Sequence, residues 1–320
     1  MSHMCSPRPS SNARTNAFTL VELMVVITII GILMAFLLPA LGGARNAARL
    51  LEEQKQAKSI VEGFTAYAAS HDFQKPLPGL VQRKPEIIGG TERYIEGRGQ
   101  ENGSLNDHGN MISLCIMERL FDPETTFSNV ETNPNIYAYT EYDHNVYDPY
   151  PSAGAAGIFW DDSFSNNLSG GDCHNSYAVL PLGGERRQLA WDRQAGSSFA
   201  LLGTRGVADG NEQNIKNSNT ADFFGRNGQW RGVIIFGDGH AEVSENFWPV
   251  AAQYEEVDSS GVTNYLPDNI YSAQTSAQGS WNSDPTLLGR DAYLTHVHEV
   301  EQNGDSPFNP RDITYTPMFD

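Results

Sequence analysis

Phe18 to Leu41 reads FTLVELMVVITIIGILMAFLLPAL, and apart from Thr19, Glu22 and Thr28 every side chain in it is apolar. As a helix rising ~1.5 Å per residue, this stretch reaches ~36 Å, enough for a hydrocarbon core of ~30 Å. No other stretch of the chain comes close. The preceding MSHMCSPRPSSNARTNA is polar and weakly basic, and Pro7 and Pro9 oppose helix there. Basic flanks stay cytoplasmic, so the remainder is expected to face outward. Two ordinary readings fit the run: a secretory signal peptide, with Ala40-Leu41-Gly42 as a loose small-x-small cleavage site, or a simple signal anchor. Glu22 counts against both. A carboxylate inside an apolar span costs ~2.5–3.5 kcal/mol on insertion scales and usually has a partner.

Helical character continues past Leu41. Gly42-Gly43 is a soft spot, and Pro39 removes one backbone hydrogen bond and is expected to kink or loosen the rod. Beyond it, Leu50, Leu51, Ile60, Val61, Phe64 and Tyr67 recur at three- and four-residue spacings. Glu52, Glu53, Gln54, Lys55 and Lys58 are assigned to the opposite, polar face. A helix from Phe18 to about Ser70 would reach ~80 Å, its second half presenting an apolar stripe to a head domain.

The rest is less regular. Gln74–Leu105 reads as loop, Met111–Phe121 as a further helix, and Thr125 to about Ser176 as long loops between short strands. Candidate strands are Tyr177–Leu182, Ser198–Leu202, Gly232–Phe236 and Ala241–Val243, the last two joined by an Asp238-Gly239 turn. The tail from Gln253 to Asp320 is polar and is expected to wrap the head.

Ala17-Phe18-Thr19-Leu20-Val21-Glu22 resembles the prepilin processing site of type IV pilins and type II secretion pseudopilins. There a small residue precedes Phe-Thr-Leu-(Val/Ile)-Glu and a long apolar helix; Gly31 and Pro39 also fall where pilins commonly carry Gly and Pro. The family usually has Gly before the cut, where this chain has Ala17. The resemblance implies cleavage by prepilin peptidase between Ala17 and Phe18, N-methylation of Phe18, and insertion in the cytoplasmic membrane with the head outside. It also implies handling by an inner-membrane assembly platform and packing with other subunits into a periplasmic or cell-surface filament. Glu22 then acquires a physical role, pairing with the Phe18 amine of a neighbouring subunit. A weaker resemblance covers Ser197–Gly203 and Val233–Val243, which look like the C-terminal half of a large prepilin-type group ending in a DG hairpin. That group often has His ten residues before the Asp, where this chain has Gly228.

The expected organisation is a leader over 1–17, a membrane or filament-core helix over 18–41 and its amphipathic continuation over 42–72. A globular head follows over 73–250, with a loop-rich extension over 251–320. The fold class is α+β, a long N-terminal helix packed on a small antiparallel head with long loops.

Composition bounds the partners. Against 39 Asp+Glu stand 21 Lys+Arg, for a formal charge of −18, and loss of Arg8 and Arg14 with the leader would take it to −20. Such a surface argues against nucleic acid, whose phosphates need clustered cations. Of the cysteines, Cys5 falls in the leader, while Cys115 and Cys173 can either pair in an oxidising compartment or stay as separate buried thiols. No cofactor is implied. Asp143, Asn145 and Asp148 loosely echo a calcium loop, without its Gly and terminal Glu. His296-Val297-His298 and Asp172-Cys173-His174 lack the spaced second pair of a structural zinc site and read as surface histidines. No nucleophile elbow or phosphate-binding loop is present, and no enzymatic activity is expected. Trp160, Trp230, Trp248 and Trp281 are candidates for sugar stacking or for the core.

Overall fold

The computed structural model describes residues 18–151, 155–191, 195–224, 228–257, 260–273, 291–303, 309 and 312–319. The chain divides into two compact units, one up to Ala48 and one from Arg49 onward. The first is the opening part of helix α1 (Leu20–Ser70), in which the large apolar side chains from Leu20 to Leu38, and Leu41, are exposed. Helical structure runs through position 39 without interruption.

In the second unit, α1 buries Glu53, Ala57, Ile60, Val61, Phe64 and Tyr67, the spacing of one helical face. Two assignments are corrected here: Leu51 is exposed, and Glu53 lies in the core rather than on the polar face. The helix ends because Asp72 turns left-handed (φ 52°) and the Phe73 amide closes back on the Ala68 carbonyl at 2.9 Å. Helix α2 (Pro78–Val81) and a two-stranded hairpin, β1 (Glu86–Ile88) with β2 (Thr91–Arg93), interrupt the expected 74–105 loop.

Helix α3 (His108–Met117) opens on Asp107, whose carboxylate accepts from the Asn110 amide at 2.9 Å. It stops before the expected Phe121. Arg119 sits at φ 57°, with Arg119 N–H bonded to Ile116 O and Leu120 N–H to Cys115 O. That is a Schellman closure with arginine where glycine is usual. Short strands β3 (Asn166–Asn167) and β4 (Asp172–Cys173) then pair antiparallel within otherwise irregular chain.

The head's main sheet runs in the order β5-β6-β7-β8, antiparallel throughout. Its strands are β5 (Tyr177–Val179), β6 (Ala200–Thr204), β7 (Gly232–Phe236) and β8 (Ala241–Ser244), with helix α4 (Gly184–Ala190) between the first two. All of β5, β6 and β7 is buried, consistent with their Val/Ile/Leu content. The Asp238-Gly239 turn joins β7 to β8, with Gly239 at φ 83°, a conformation glycine adopts without Cβ strain. Ile60, Phe64, Ile112, Val179, Leu202 and Ile234 belong to one core that joins α1, α3 and this sheet.

The tail departs most from expectation. It contributes two antiparallel hairpins, β9 (Gln253–Val257) with β10 (Thr263–Pro267) and β11 (His296–Gln302) with β12 (Ile313–Met318). Residues 268–273 and 291–297 are buried, and Thr295 bridges to Val179 of β5. Polar tail residues enter the core because they are paired. Arg186 holds Asp291 at 2.5 Å while Asp268 accepts the Ala292 amide at 2.7 Å. The fold is α+β: a long apolar N-terminal helix followed by small antiparallel sheets.

Candidate functional site

The expected processing site opens on Phe18, 76% exposed; Ala17 lies outside the described residues. Thr19 is the residue before the first helical turn, and it forms a capping box with Glu22. The Thr19 amide and hydroxyl donate to Glu22 Oε2 at 2.8 and 2.7 Å, and the Glu22 amide donates to Thr19 Oγ1 at 3.2 Å. Two of the amides that a helix start leaves without partners are thereby satisfied. Further along, Thr28 Oγ1 donates to the Met24 carbonyl at 2.7 Å. All three polar side chains of the 18–41 run thus have local partners, as a segment in hydrocarbon requires. Thr19 is the residue the sequence reading missed, although Thr-Leu-Val-Glu spells the S/T-x-x-E pattern.

The second carboxylate of interest on α1 is Glu53, 3% exposed. It accepts from Ser128 Oγ at 2.5 Å. Burial pushes its pKa up to about 7, and Glu131 adds to the rise while Ser128, Tyr177 and Arg205 oppose it. Arg205 is committed to Glu131 through both terminal nitrogens, the Nη2 contact at 2.9 Å, and its side chain lies over the Phe223 ring. Arg187 makes a second two-point pair with Glu101, at 2.5 and 2.9 Å. With Arg186–Asp291, these are three buried guanidinium–carboxylate pairs among the described residues.

The weaker site candidates have local partners. Asp143 accepts from the amide and side chain of Asn145 at 2.8 and 2.9 Å, and Asp148 accepts from the Tyr150 amide at 3.2 Å. These oxygens cap turns, and no group of three or more His, Cys, Asp or Glu suited to a metal ion occurs among the described residues. Cys115 and Cys173 are both free and buried, in separate apolar clusters, so the candidate disulfide is not formed. Burial raises the pKa of both thiols.

The surface-histidine reading fails for two rings. His296 is 1% exposed, with Nδ1 at 3.0 Å from Asn166 Oδ1 and 3.9 Å from Cys173 Sγ. His174 is buried, stacked on Tyr139, and accepts from the Ser165 amide at 2.9 Å. Burial lowers the pKa of each. Trp160 and Trp230 are core residues, Trp248 is partly exposed, and Trp281 lies outside the described residues.

Residues 12–38 match the family model described as the prokaryotic N-terminal methylation motif. The amino terminus is prepilin-like. The match covers a small part of the chain and stands beside a helix that is long and apolar enough to cross a membrane. No curated protein and no solved structure matches the chain.

Proposed function

We propose that this chain is a structural subunit of a type IV pilus-like filament or a type II secretion pseudopilus. Prepilin peptidase removes residues 1–17, cutting between Ala17 and Phe18, and methylates the Phe18 amine. Residues 18–41 hold the subunit in the inner membrane with the head outside the cytoplasm, until an assembly platform transfers it to a filament of like subunits. The observation that carries this reading is the methylation motif over residues 12–38, continuous with an apolar helix whose one ionisable group up to Leu41 is Glu22.

Glu22 offers a carboxylate one turn from the amine that cleavage would create. In a filament it pairs with the Phe18 amine of the next subunit, while the Thr19 capping box holds it in the free subunit. Removing one partner of a buried ion pair costs about 3–5 kcal/mol. Mass spectrometry of the mature amino terminus tests the processing step: methyl-Phe18 is expected, and a start near Gly43 would mark the protein as secreted by an ordinary signal peptide. Glu22→Val should be cleaved and inserted normally yet be missing from sheared filaments; its incorporation at wild-type level overturns the pairing.

A further inference from the structure

Going beyond the filament reading, the geometry points to a cleft in the head that binds a neutral oligosaccharide. Two adjoining cavities of about 170 and 360 Å³ share Val81, Arg83, Glu96, Gly97 and Phe159 as a common wall. Together they lie in the ~300–1,000 Å³ range of small-ligand sites. They are built by the end of α1, α2 with the segments on either side of it, the turn after β2, α3 at Leu114 and Glu118, and residues 147–151 and 155–159.

The lining is aromatic at the mouth. Tyr94 is 41% exposed, Tyr147 49% and Tyr150 71%, though each ring would gain by burial in a core. Phe159 stands edge-on to Tyr147, and His71 lies flat on buried Tyr67 at 3.8 Å, leaving an exposed imidazole beside the larger cavity. Polar groups are set between the rings. Tyr150 Oη donates to Glu96 Oε2 at 2.5 Å, tying the loop to the turn, and Arg83 donates to the Gly99 carbonyl at 3.2 Å. Gly99, next to that wall, must be glycine: its φ is +90° and an added Cβ would lie 2.0 Å from the Lys84 carbonyl oxygen.

Charge decides the class of ligand. Across the two cavities Arg83 and Arg98 stand against Asp72, Glu96 and Glu118, while Lys75 is buried with its ammonium on the Ala190 carbonyl at 2.7 Å, a mixed set in a chain of formal charge −18. Such a cleft attracts neither an anion nor a cation strongly. Exposed aromatic rings in one lining with carboxylate acceptors and guanidinium donors suit a molecule with apolar C–H faces and hydroxyl edges, which is a sugar. Hydroxyls can replace the Tyr150–Glu96 bond one for one.

The test uses the full-length chain in a detergent without a sugar headgroup, applied to immobilised neutral α- and β-glucan, mannan and galactan oligosaccharides. A polyuronate and a proline-rich peptide serve as competing probes. At least one neutral glycan should be retained, with little dependence on salt. Tyr147→Ala and Tyr94→Ala should each weaken it about ten-fold without moving the thermal midpoint, while Tyr150→Phe, which keeps the ring, should stay within about three-fold of wild type. Saturation transfer from tyrosine ring protons to sugar C–H protons in the unaltered chain is expected too, and stands even if a variant folds badly. Absence of any neutral-glycan retention, retention indifferent to both alanine variants, or preference for the polyuronate or the peptide overturns the assignment. Because binding is read on the solubilised subunit, failure of filament assembly leaves the result interpretable.

Discussion

Glu22 and Glu53 are the same side chain on the same helix, and the structure treats them in opposite ways. Glu22 lies in the unit that ends at Ala48, among exposed apolar side chains, and is satisfied by Thr19 three residues away. Glu53 lies in the unit that begins at Arg49 and draws its partner, Ser128, from 75 residues away. Apolar exposure in the first unit leaves a surface suited to burial against another apolar surface. In the second unit the apolar face of α1 is buried against α3 and the main sheet. A carboxylate on the first surface is available to another molecule, whereas one inside the second is constrained by its own fold.

The sharpest way to break that contrast is to remove the cation beside the buried carboxylates. Arg205→Ala leaves Glu131 buried without its partner and should destabilise the head by about 3–5 kcal/mol, read by denaturant titration; a loss near zero would mean that water reaches the pair. Next comes Glu53→Gln. The folded-state pKa of Glu53, about 7, lies above its ordinary 4.5. Below pH 4.5 both folded and unfolded states hold the proton, so Glu53 costs nothing. Between 4.5 and 7 the unfolded state ionises first and stability falls; above 7 the loss is complete. Glutamine, which stays neutral and still accepts from Ser128, should therefore match wild type at pH 4 and exceed it at pH 8 by on the order of 3 kcal/mol. The smallest effect belongs to the helix start. Thr19→Val removes the capping hydroxyl and should cost about 1 kcal/mol, seen as faster amide exchange at Glu22 and Leu23 in micelles, with the head unchanged.

Legibility followed the same division. The 18–41 run, the stripe through Ile60, Val61 and Phe64, and the β7–β8 hairpin were readable because each rests on a local pattern: continuous apolarity, a 3.6-residue period, or an Asp-Gly turn. Where polar residues are buried, the reading failed. Glu53, His296, Asp268 and Asp291 look like surface by composition, and only distant partners such as Ser128, Asn166 and Arg186 make their burial tolerable. The end of α3 was missed because Arg119 occupies a left-handed position that sequence reading reserves for glycine. The cleft escaped notice for a different reason: its tyrosines come from segments that carry no periodic signal.

The buried bond from Arg186 to Asp291, spanning 105 residues, has a consequence for how the head folds. Arg186 lies in α4, the element after β5, and Thr295 is hydrogen-bonded to β5 at Val179. The head's centre is therefore complete only once segments more than 100 residues apart in sequence have met, and contacts of that separation form slowly because the loop between them must be ordered first.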